Sequence, residues 1–176
     1  MRERDAGAAL RVLGIDPGTI RTGWGVVEPS GPRARLVATG VIHAGEKKPL
    51  PERLKIVHDG LRAVIGEHAP QVVAVEDIFF AKHANAALKL GHARGVALFV
   101  AADADLEVFA YPPALVKRSV AGKGRAEKEQ VALLVGAMLG IRELPTVDAT
   151  DALAVALTHL QAIRSRGMAL TAPRRR

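Results

Sequence analysis

The chain has 176 residues, enough for one domain with a full hydrophobic core and too few for two comfortable ones. It contains no cysteine, which excludes disulfides and thiolate zinc sites and leaves oxygen or imidazole ligands for any metal. The net charge of +7 suggests an acidic partner, yet Arg164, Arg166, Arg174, Arg175 and Arg176 supply five of those charges from an acid-free segment, and such a tail is more often a solubilising or weakly DNA-attracted appendage than a specific site.

In chain order, "RVLGID" and "TGWGVVE" are β-favouring runs separated by a Pro-Gly turn, and "ARLVATGVIHA" supplies a third, so the chain opens as an antiparallel meander. From Leu50 to His68 the period changes: Leu54, Ile56, Val57, Leu61, Val64 and Ile65 recur at helical spacing until "HAP". The next run, "VVAVE", lacks alternation, as a strand covered on both faces should. There follow a helix from about Asn85 to Ala102, a strand "LEVFAY", a helix after Pro112 and Pro113, a loop "AGKGRA", a helix from Glu127 to Leu139, and a last helix from about Asp148 to Arg164. The order predicts an α/β domain with a mixed sheet and helices on both faces. Its expected limits are 10–165, with residues 1–9 a flexible extension and 166–176 a basic, disordered tail. No apolar run approaches the ~20 residues of a membrane span, and "MRERDAGAAL" lacks a signal-peptide core, so the expected location is the cytoplasm.

Five acids stand out against this pattern. Asp16 closes the first strand, Glu76 and Asp77 close the buried strand, and Asp148 and Asp151 lie one helical turn apart in "PTVDATDALAVALTHL". Asp16 alone reads equally as a turn acid before Pro-Gly, and Asp148 alone as a helix N-cap. Glu76 is harder to explain that way, because it ends an apolar run. Two carboxylates ~4 Å apart repel by roughly 4 kcal/mol at an effective dielectric near 20, so a converging set needs cations. Oxygen-only ligands favour Mg²⁺, with Mn²⁺ able to substitute, and a pair of such ions suits phosphodiester chemistry.

The segments "GIDPGTIRTGWGVV", "VEDIFFAKHANAALKLGHARGVA", "GKGRAEKEQV" and "DATDALAVALTHL" resemble, in order and spacing, the signature segments of the RuvC Holliday-junction resolvases, from about Arg11 to Leu160. The resemblance implies a ribonuclease H-like fold, a homodimer, two Mg²⁺ per subunit, and symmetric paired nicking of four-way DNA junctions in recombination and repair. It also implies partnership with the branch-migration proteins of the same system. Asp16, Glu76, Asp148 and Asp151 match the family's catalytic and metal-binding carboxylates, and Phe79 resembles its junction-inserting aromatic, with Lys82 on the same loop. An aromatic stacked on an unpaired base is worth ~1–3 kcal/mol.

Lys117, Arg118, Lys123, Arg125 and Lys128 form a basic group that alone reads as a solvated face; beside a phosphodiesterase site it becomes a DNA backbone clamp. The helix "NAALKLGHARGVALFVAADA" is rich in small residues and carries apolar groups on more than one face, which fits either burial within the monomer or a two-fold interface. Three other readings compete. The actin-like sugar kinases share the opening "GIDPGT" but need a second related domain; a ribonuclease H-like RNA nuclease lacks the "FFAKHANAALKLG" segment; a non-catalytic DNA-binding dimer would be expected to have lost an acid.

Overall fold

The computed structural model describes residues 10–77 and 84–171, and the side chains of all of these except 84–86 and 166–171. Among these residues five strands, β1 (Val12–Asp16), β2 (Arg21–Ser30), β3 (Arg33–His43), β4 (Val72–Glu76) and β5 (Glu107–Tyr111), form one sheet in the order β3-β2-β1-β4-β5. β2 is antiparallel to both β1 and β3, while β1, β4 and β5 run parallel. The mixed sheet and the opening meander are as the sequence predicts, and the architecture is ribonuclease H-like.

Among the described residues five helices cover the sheet: α1 (Leu50–His68), α2 (Ala84–Asp103), α3 (Pro113–Ala121), α4 (Lys128–Leu139) and α5 (Val147–Thr171). Local chemistry sets several of their ends. Pro113 starts α3, where a missing N–H costs nothing, and α3 and α4 stop at Gly122 and Gly140, whose φ values of 74° and 66° suit glycine. α5 continues to Thr171 instead of ending at Arg164. Arg164 is also more than a tail charge. Its guanidinium donates to the backbone carbonyls of Gly31, Pro32 and Arg33, tying α5 to the β2–β3 turn.

The central strands have a core on each side. Leu13, Ile15, Val73 and Val75 point to one face and pack with Val57, Leu61, Ala97 and Val100 of α1 and α2. Val12 and Ala74 point to the other, against Val116 of α3, Val135 of α4 and Leu153 and Leu157 of α5. Burial on both faces explains the unbroken apolar runs of β1 and β4. Among the described residues, no helix is long and apolar enough to cross a membrane.

Candidate active site

The alternation of a strand decides where its last residue points. Asp16 shares the parity of Val12 and Glu76 that of Ala74, so both carboxylates face the α5 side of the sheet. The parallel register pairs Ile15 with Val75, which brings Asp16 and Glu76 to neighbouring strand ends on one edge. Asp148 and Asp151 lie in the first turns of α5, directly above. Asp148 is the second residue of that helix, so the local reading of it as an N-cap is corrected; its position in the first turn is nonetheless favourable for an acid.

α5 reaches the sheet so closely because three glycines leave room for it. A Cβ at Gly23 would stand 1.8 Å from the Asp148 carbonyl oxygen, and one at Gly14 2.1 Å from that of Ala152. At Gly25 it would stand 2.4 Å from the Leu153 side chain. Gly23 pairs across β1–β2 with Asp16 itself, and Gly25 with Gly14. The cradle that seats the helix therefore also sets Asp148 over Asp16. Below it, Thr22 secures the turn after Asp16 by donating to the Gly18 carbonyl at 2.7 Å and accepting from its N–H at 3.3 Å.

The electrostatics report the convergence. Burial first, then the charges of Glu76, Asp151 and Asp148, push the Asp16 carboxyl up from 3.8 to about 7, with Lys128 acting in the opposite direction. Glu76 is also raised, by burial and then by Asp151, against the pull of Lys128 and Lys117. Lys128 in turn is raised, chiefly by Asp151, to which its Nζ is bonded at 3.2 Å. Arg21 Nε lies 3.1 Å from Asp148 Oδ2, and Arg94 of α2 pairs with Asp77 at 3.0 Å. Asp77 thus turns to α2 rather than to the other acids.

Of the expected basic group, Lys117 and Lys128 join Glu76 and Asp151 in lining a hollow of about 290 Å³ between α3, α4 and α5. Arg118, Lys123 and Arg125 are exposed on α3 and the loop after it. Phe79 and Lys82 lie outside the described residues.

All four converging carboxylates are hard oxygen donors, and a divalent cation among them would supply the charge whose lack raises Asp16; on chemistry the residues fit Mg²⁺ or Mn²⁺. As placed, no three acidic or imidazole side chains among the described residues are gathered closely enough to grip one ion. The two ion pairs to Arg21 and Lys128 hold the α5 acids instead. Sequence reading missed Arg21 and the glycines. The alternation Gly23, Gly25 within "TGWGVV" was the available signal for the latter.

Residues 12–159 match the family described as Crossover junction endodeoxyribonuclease RuvC. The protein of that description from Sorangium cellulosum is 50% identical over 153 residues, 87% of this chain and 86% of its own. The structure of T. thermophilus RuvC in complex with a Holliday junction substrate superposes with a TM-score of 0.84 at 40% identity, over 89% of this chain and 96% of that one. The yeast mitochondrial Holliday junction resolvase, at 15% identity and a TM-score of 0.63, shares the fold. The site built on β1, β4 and α5 lies within a family match that spans most of the sequence, and the chain belongs to the RuvC family of crossover junction endodeoxyribonucleases.

Proposed function

We propose that this protein resolves four-way DNA junctions in recombination and repair, by divalent-metal-dependent hydrolysis of a phosphodiester at the site where β1, β4 and α5 meet. The carrying observation is that acids far apart in sequence share one electrostatic environment, in which Asp16 senses Glu76, Asp151 and Asp148 together. These four are the proposed catalytic and metal-binding residues, with Mg²⁺ as the cofactor, two ions per subunit, and Mn²⁺ as a substitute. Bound there, such ions lower the pKa of a water and neutralise charge on the transferring phosphoryl group.

The chain's own residues have separable tasks. Asp16, at the centre of the set, holds negative charge that burial makes costly, so it is the acid that gains most from a cation. Asp148 and Asp151 close the site from the helix side. Lys117 and Lys128 border the same hollow and offer ammonium groups to the phosphates on either side of the cleaved bond. Arg118, Lys123 and Arg125 extend that positive border along the DNA backbone, while Phe79, with Lys82 beside it, stacks on a base where the junction opens.

A two-fold homodimer supplies the second incision. α2 buries Ala97, Val100 and Ala101 in the core it shares with α1 and the sheet. On its outer side Leu88 and Phe99 are 63% and 61% exposed, with His92 and Gly95 between them at helical spacing. This seam suits a second copy of the helix, which would set two sites against symmetry-related strands. Cytoplasmic location and cooperation with branch-migration proteins complete the proposal. The direct test is nicking and junction affinity for Asp16→Asn, Glu76→Gln and Asp148→Asn. Amides keep the shape and lose the charge, so cleavage should fall below about a tenth of wild type with binding retained. A variant that still cleaves well removes that residue from the site.

A further inference from the structure

The four carboxylates do not open onto one hollow. Glu76 and Asp151 line the space shared with Lys117 and Lys128, whereas Asp148 lines a shallower one of about 390 Å³ with Gly18, Thr19, Ile20, Arg21 and Glu46. Each α5 acid is drawn to its own side by a cation, Asp148 by Arg21 and Asp151 by Lys128. The two cations differ. Lys128 also feels Asp16 and Glu76, so it belongs to the carboxylate set as a whole. Arg21 starts β2, is 60% exposed in its side chain, and engages the Asp148 oxygen Oδ2 from the rim.

We propose that Arg21 is a positioning residue that competes with the divalent ion for Asp148, holding this carboxylate on the β2 side and weakening ion binding there. The inference rests on the reading of the four acids as metal ligands. A carboxylate shared between a guanidinium and a metal ion is held less strongly by each, because the two cations side by side repel, so the Arg21 contact weakens ion binding at Asp148. Each α5 acid has its own cation partner, Asp148 the guanidinium of Arg21 and Asp151 the ammonium of Lys128, and an incoming ion shares these carboxylates with them. The competition is shallow, because an exposed ion pair is worth at most about a factor of five in an equilibrium constant.

The test is Mn²⁺ binding by the full-length protein at about pH 8 without DNA, followed by electron paramagnetic resonance of the free ion. The variants are Arg21→Gln, Arg21→Lys, Asp148→Asn and the double change Arg21→Gln with Asp148→Asn. Arg21→Gln should bind Mn²⁺ about two- to fivefold more tightly than wild type, and Arg21→Lys, which keeps the competing charge, should stay near wild type. The gain should vanish in the Asp148→Asn background and shrink in about 0.5 M salt, where exposed pairs are screened. Thermal melts establish that each variant is folded. Unchanged or weaker binding by Arg21→Gln, or an equal gain with Asn at 148, overturns the proposal while leaving the metal site standing. If the wild-type protein binds no Mn²⁺, the metal-ligand reading fails and this inference fails with it.

Discussion

Replacing Asp16 with Asn should make the metal-free protein more stable while destroying its activity. Burial and three neighbouring acids push the Asp16 carboxyl from 3.8 to about 7. Because the folded pKa lies above the unfolded one, the folded chain keeps a proton that the unfolded chain has released. Stability is therefore lost as pH rises between these values: the penalty is absent below about 3.8, grows by ~1.4 kcal/mol per pH unit, and is complete above about 7. It amounts to ~4 kcal/mol at most at pH 8, and to less than half of that at pH 5. Asn has the same shape and no charge. Asp16→Asn should thus melt above wild type at pH 8 in chelator, by up to roughly 8–16 °C for a chain of this length, and by less at pH 5. Adding Mg²⁺ should narrow the gap, since a ligand bound only by the native wild type stabilises it by mass action. Thermal melts of both proteins at the two pH values, with chelator and with Mg²⁺, make the comparison. An Asp16→Asn protein that melts at or below wild type at pH 8 in chelator would refute the claim that burial, together with the neighbouring acids, raises Asp16.

Gly23→Ala should displace the start of α5, because its new Cβ would meet the Asp148 carbonyl at 1.8 Å with backbone on both sides. Overpacking of this kind costs ~1–3 kcal/mol, and cleavage should fall more than tenfold; denaturant unfolding with a nicking assay checks both. Leu88→Glu combined with Phe99→Glu, both on the exposed seam of α2, should give a folded monomer by analytical ultracentrifugation that loses paired incision. Phe79→Ala should slow cleavage of fully paired junctions by about 10-fold or more and leave junctions already unpaired at the exchange point nearly unaffected, since stacking worth ~1–3 kcal/mol is needed only while pairs are being opened. Equal losses on both substrates would assign Phe79 to the protein core.

Glu76 is the one central acid whose own context is unfavourable without a function; Asp16, Asp148 and Asp151 are legible through the joint pattern and the family resemblance. Glu76 ends a run of buried residues, and Asp148 and Asp151 repeat after one helical turn at a helix start. Alternation alone then places Asp16 and Glu76 on the α5 side once the strands are known to be parallel. What the residues did not disclose were contacts between distant segments. The pairing of Arg21 with Asp148 spans most of the chain, and so does the grip of Arg164 on the β2–β3 turn, which made that arginine look like one more tail charge. The glycines of β1 and β2 read as neutral strand residues until α5 is laid across them, where their missing side chains become the seat of the helix. α5 runs past Arg164 to Thr171 because this stretch has no proline, and its one glycine, Gly167, weakens a helix without ending it.

The most direct measurement is incision of a synthetic four-way junction, compared with linear duplex of the same sequence, in Mg²⁺ and in chelator. The expected result is Mg²⁺-dependent conversion of the junction to two nicked duplexes, cut at symmetric positions, that DNA ligase reseals without processing, with the linear duplex left intact. Equal cutting of linear duplex, incision that persists in chelator, or no incision at all with Mg²⁺ or Mn²⁺ would contradict it.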